Sequence, residues 1–101
     1  MGKKLIEIDQ DLEDVLPMYL KKRDDELKVL SDLISQNDHK GLQVIGHKLA
    51  GSAGGYGLDE LGIYGSNIEL AAQACDMDTI KYNVEKIKCF LDDLEVKYVE
   101  M

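Results

Sequence analysis

The sequence predicts an all-α protein, an antiparallel up-down four-helix bundle with a short extra N-terminal helix. Three observations predict it. Apolar residues recur at three- and four-residue steps through four long stretches, the mark of amphipathic helices. The breaks between those stretches are short, which favours antiparallel neighbours. Alternation of period two does not persist anywhere, so no strand is expected.

The elements follow in order. Residues 9–16 make a short acidic amphipathic turn, with Asp9 or Asp11 as N-cap and Leu12, Val15 and Leu16 covering one end of the core. Pro17 suits the first turn of the next helix. That helix runs to about Ser35 on a stripe of Leu20, Leu27, Leu30 and Ile34, widened by Leu33. Arg23 falls at the edge of the stripe, stem packed and head solvated, within a solvated basic turn of Lys21, Lys22 and Arg23. Gln36-Asn37-Asp38 is a break, and Asn37 or Asp38 caps a helix from about 39 to 55. Its inner face is Leu42, Ile45, Leu49, Ala53 and Tyr56, and Gly57 ends it. A third long helix starts near Leu58, with Asp59 and Glu60 in its first turn, where acids suit the helix dipole. Leu58, Leu61, Ile68, Ala72 and Cys75 form its stripe, Gly62 and Gly65 let a neighbour pack close, and Asp76-Met77-Asp78 is its last turn. The final helix runs from Thr79 to about Val99 through Ile80, Val84, Ile87, Leu91, Leu94 and Tyr98.

With 101 residues there is room for one domain, residues 1–101, with the bundle over about 17–100. A hydrophobic content of 45% with one proline fits a compact helical chain. The net charge of −8 argues against nucleic-acid binding. No apolar run approaches the roughly 18 residues of a membrane span, and the N-terminus lacks the apolar core of a signal peptide. Cys75 and Cys89 fall on different helices without a CxxC pattern and are expected to be reduced and mostly buried. The expected setting is cytoplasmic, with neither membrane nor nucleic acid as partner.

His47 lies roughly 160° from the middle of its helix's apolar stripe, which aims it at solvent. Its neighbours on that outer face are Lys40, Val44, Lys48, Gly51 and Gly54. Glycine inside a helix costs up to about 1 kcal/mol relative to alanine, so Gly51 suggests a partner that approaches the backbone beside the imidazole. His39 has no comparable surroundings and reads as an ordinary surface residue. Glu69 lies about 70° from the centre of its own helix's stripe. An antiparallel turn brings it back to the level of His47.

The run His47-x-Leu49-x-Gly51-Ser52-Ala53-x-x-x-Gly57, followed by Ile68-Glu69, resembles the histidine-containing phosphotransfer (HPt) domain family. The resemblance implies a four-helix bundle whose exposed histidine carries a phosphoryl group between response-regulator receiver domains. It implies that His47 is phosphorylated and that Glu69 accepts a hydrogen bond from the other ring nitrogen. The family often places a lysine three residues after the histidine. Here that position is Ala50, and Lys48 or Lys40 is the nearby positive charge. The implied partners are receiver domains and a histidine kinase or hybrid kinase, with Mg2+ held by the partner receiver and no cofactor in this chain.

The residues alone leave other readings open. One is a bundle that binds metal or haem through His47, although two histidines eight positions apart do not chelate. Another is a non-catalytic helical adaptor that docks through Val44 and the glycines. A third is a hydrolase with His47 as general base, which lacks a Ser or Cys nucleophile motif. No nucleotide-binding or kinase signature is present, so the expected role is that of a phosphocarrier rather than an enzyme.

Overall fold

The computed structural model describes residues 3–101. Four helices form the body: α1 (Leu16–Ser35), α2 (His39–Ser52), α3 (Asp59–Gln73) and α4 (Met77–Asp93). Two strands flank them, β1 (Lys4–Asp9) and β2 (Leu94–Val99). They pair in parallel, in a register from Lys4 opposite Leu94 to Asp9 opposite Val99. The expectation of a purely α-helical chain is therefore corrected. The four-helix body stands, and a two-stranded parallel sheet accompanies it.

The same correction removes the extra N-terminal helix. Only Gln10–Leu12 winds, as one 3-10 turn capped by Asp9, whose carboxylate accepts from the Asp11 amide. It also shortens the last helix, which stops at Asp93 rather than near Val99. Leu91, Leu94 and Tyr98 satisfy helical spacing, but Leu94, Val96 and Tyr98 equally satisfy a period of two. Val96 fits only the second pattern. Glu95 and Lys97 point to solvent while Leu94, Val96 and Tyr98 are half-buried, and Ile8 opposite them is fully buried. Parallel strands need a crossover of a dozen residues or more. Here the whole bundle is that crossover.

Local chemistry sets the helix ends. Pro17 sits in the first turn of α1. Asn37 adopts a left-handed conformation, and Asp38 caps α2 by accepting from the Gly41 amide at 2.9 Å. After α2 a 3-10 turn, Ala53–Tyr56, runs into Gly57, whose φ of 77° is the left-handed stop that glycine adopts without strain. Asp76, expected in the last turn of the third helix, instead caps α4 through the Thr79 amide and hydroxyl. These two hydrogen bonds hold its exposed carboxyl below the usual range.

The core is built from Leu16, Leu30, Leu42, Leu58, Leu61, Ile68, Ile80 and Ile87, all essentially without solvent contact. Lys4 of β1 reaches Glu60 of α3, which also accepts from the Tyr64 hydroxyl. The pair holds the Glu60 carboxyl below its usual range, through Lys4 first and Tyr64 second. The same carboxylate is the main reason the Tyr64 phenol is pushed up to about 12. Cys75 and Cys89 are free thiols and both are exposed, against the expectation of burial. No described helix is long and apolar enough to cross a membrane.

Candidate functional site

The site begins with the packing of α2 on α3. Leu42, Gly46, Leu49 and Ala53 recur along the buried side of this segment, and Ile68 of α3 meets them in the core. Gly46 and Gly65 are both buried. Neither has a side chain to hold the helices apart, and their backbones come into direct contact. The antiparallel turn at Gly57 then sets the last third of α3 beside the middle of α2. Glu69 is delivered to the level of His47.

His47 Nδ1 and Glu69 Oε2 stand 2.9 Å apart. The histidine side chain is 75% exposed and the glutamate 23%. An ionised carboxylate can only accept, so the shared proton belongs on Nδ1 in the neutral ring and Nε2 keeps its lone pair. Among the described residues nothing engages Nε2. The geometry thus offers one oriented nucleophilic nitrogen on a rigid helix, open to an incoming molecule.

Around it lies a shallow depression of about 390 Å³, lined by Lys40, Gln43, Val44, His47 and Lys48 of α2 and Glu69 of α3. Among the described residues neither Lys40 nor Lys48 is engaged in an ion pair. Both leave positive charge beside the imidazole on a chain of net charge −8. The field of Lys48 extends to α1, where it and Arg23 oppose the burial that pushes the Glu26 carboxyl up.

Of the residues singled out in the sequence, the structure brings together His47, Glu69, Lys40, Val44 and Lys48. Gly51 lies one turn on, exposed, and a Cβ there would meet nothing within 4 Å. Gly54 departs from the group. It sits in the 3-10 turn and lines a neighbouring hollow with Ala50, Asp59, Gly62 and Ile63. Two members were missed. Gln43 precedes His47 by one turn on the same face, and Gly46 sets the closeness of α3. The spacing of Leu42, Gly46, Leu49 and Ala53, a glycine within an otherwise apolar stripe, was the available signal.

His39 is half-buried, with an Nε2 that is buried and has no hydrogen-bond partner, which corrects its reading as a surface residue. Arg23 also differs from expectation. Its head lies 4.5 Å above the Tyr19 ring and 3.1 Å from Glu26, rather than in solvent. At that second contact the Nε–H is not aimed for a hydrogen bond, so the pair is one of charge alone. Among the described residues no three or more His, Cys, Asp or Glu side chains are placed to hold a metal ion. Compared with protein-family models, with curated proteins and with solved structures, the chain matches none.

Proposed function

We propose that the chain is a phosphocarrier of a cytoplasmic two-component relay, in which His47 takes a phosphoryl group from a receiver-domain aspartate and passes it to another. The observation that carries this reading is the pairing of an exposed His47 with Glu69 through Nδ1. It is supported by the resemblance of the His47–Gly57 run and Ile68-Glu69 to the HPt family. In the transfer step the Nε2 lone pair forms the N–P bond as the P–O bond to the aspartate breaks, and the electron pair leaves on the carboxylate. The ring becomes cationic, and Glu69, retaining its hydrogen bond to Nδ1–H, stabilises that charge. Phosphoryl transfer demands in-line positioning and charge neutralisation above all. Lys40 and Lys48 supply part of the second, and the partner's Mg2+ the rest.

On this reading the chain carries no cofactor and does not act on ATP by itself. The test is incubation with a phosphorylated receiver domain and Mg2+, scored as acid-labile, base-stable label on the protein. Wild type and His39→Gln accept label, while His47→Gln stays folded and accepts none. Equal labelling of the two variants, or labelling by ATP and Mg2+ without a partner, would sink the assignment.

A further inference from the structure

On the edge of the bundle away from His47, α1 and α4 run antiparallel and leave an open seam between them. Two depressions lie end to end along it. One, of about 460 Å³, is floored by Leu27, Ile34 and Val84. The other, of about 280 Å³, is floored by Leu20, Leu91 and Leu94, with Val96 of β2 at its end. All of these side chains pack on the core yet stay partly open to solvent.

The seam is periodic. Its floor residues on α1 are Leu20, Leu27 and Ile34, and on α4 Val84 and Leu91, each set spaced by seven. The lysines that rim it keep the same interval, Lys21 and Lys28 on α1, Lys81 and Lys88 on α4. A seven-residue repeat of apolar hollows matches the knobs of another helix, and the fourteen steps from Leu20 to Ile34 span about 21 Å at helical rise. Against those four lysines the same lining carries two acids, Asp24 and Glu85, and Lys21 is paired with Asp25 at 3.8 Å. On a chain of net charge −8 the groove still keeps an excess of positive charge, carried by Lys28, Lys81 and Lys88. A second copy seated by two-fold symmetry would set lysine rim against lysine rim.

We propose that the α1–α4 seam receives an amphipathic helix of a partner protein, apolar on its inner face and acidic along both flanks, as a fifth helix on the bundle. The mode is helix-in-groove, with anchors at i, i+3, i+4 and i+7. The acidic flanks select the partner and steer its approach. The proposal does not depend on the role of His47, which stays uncovered while the seam is filled.

The experiment uses the whole chain and two synthetic peptides of about 18 residues. Both share a Leu-rich inner face; one has glutamates on its flanks and the other lysines. Titration followed by amide and methyl NMR reads affinity and location together. The acidic peptide is expected to bind at least about tenfold more tightly than the basic one, to shift Leu27, Ile34, Val84 and Leu91, and to weaken as salt rises. Lys28 and Lys88 are exposed, so the double variant Lys28→Glu/Lys88→Glu should keep its helical circular dichroism and lose that preference. The proposal is overturned by no saturable binding or by equal affinity for both peptides. It is likewise overturned by shifts confined to the His47 depression, by a stable dimer of the chain alone through α1 and α4, or by binding only to anionic phospholipid vesicles.

Discussion

Gly46 of α2 and Gly65 of α3 face each other where two helix backbones nearly touch. A Cβ on Gly46 would lie 2.7 Å from the Gly65 carbonyl oxygen and 2.7 Å from the Glu69 amide nitrogen. One on Gly65 would lie 2.8 Å from the Ala50 nitrogen and 3.0 Å from the Gly46 oxygen. Apart from the Leu49 Cβ, which also lies 2.8 Å from the second, the obstructing atoms are backbone, and none of them can rotate aside. The approach that orients Glu69 toward His47 thus depends on two missing side chains.

Gly46→Ala and Gly65→Ala should each force α2 and α3 apart. Overpacking of this kind costs about 1–3 kcal/mol, readable as a lower urea midpoint. The same variants should loosen the His47–Glu69 contact, seen as a mixed ring tautomer in nitrogen NMR. Wild-type stability and tautomer in both would show that the close approach does not position Glu69.

Gly51 should behave in the opposite way, because a Cβ there meets nothing. Gly51→Ala is expected to stabilise the chain by about 0.4–1 kcal/mol. On the proposed phosphocarrier reading, Gly51→Arg should keep its helical circular dichroism yet stop phosphoryl transfer by filling the space beside the imidazole. Transfer by the arginine variant at the wild-type rate would refute the close-approach argument.

On the proposed phosphocarrier reading, Glu69→Ala should still take label at His47 but take it more slowly. A hydrogen bond to a charged group is worth about 1.5–3 kcal/mol, and the exposure of His47 argues for the lower end. A loss near 1.4 kcal/mol slows transfer about tenfold. The Nδ1–H tautomer should lose its dominance in the same variant, a change that a purely structural glutamate would not produce.

Glu60 joins β1 to α3 through Lys4, and its carboxyl is held below the ordinary value of 4.5. A depressed folded value means that the link stabilises the protein above about pH 4.5 and is lost as acid protonates Glu60 below it. Protection of the β1 amides, taken relative to their intrinsic exchange rate at each pH, should therefore fall as pH drops through that window. Glu60→Gln, which lacks the charge throughout, should differ from wild type at neutral pH and converge with it in acid. A gap that persists unchanged at about pH 3 would show that the contact does not titrate.

The body of the fold was legible because its signals are local. Leu42, Leu49 and Ala53 repeat at helical spacing, Asp38 caps where a cap is expected, and Gly57 stops a helix where only glycine does so cheaply. The sheet was hidden because its signal is not local. Leu94 and Tyr98 fit a helix and a strand equally, and Ile6 and Ile8 span too few residues to declare a period. Strand conformation was decided by pairing between residues about 90 positions apart in the chain, which no window along the sequence contains. The site divides in the same way. His47, Lys40, Val44 and Lys48 share one helix face and could be grouped from pitch alone, and Glu69 followed from the antiparallel turn. Gly54 was misplaced because the helix pitch fails at Ser52, where the chain tightens into a 3-10 turn.

The parallel pairing of β1 with β2 has a mechanical consequence. Lys4 lies at one end of the ribbon and Val99 at the other. Tension applied between these two residues drags the strands past each other lengthwise. The ladder hydrogen bonds then share the force side by side instead of parting one after another. Every helix lies in the chain between the strands, so pull reaches α2 and α3 only after the ribbon has sheared. His47 and Glu69 are mechanically insulated by a clasp of twelve residues.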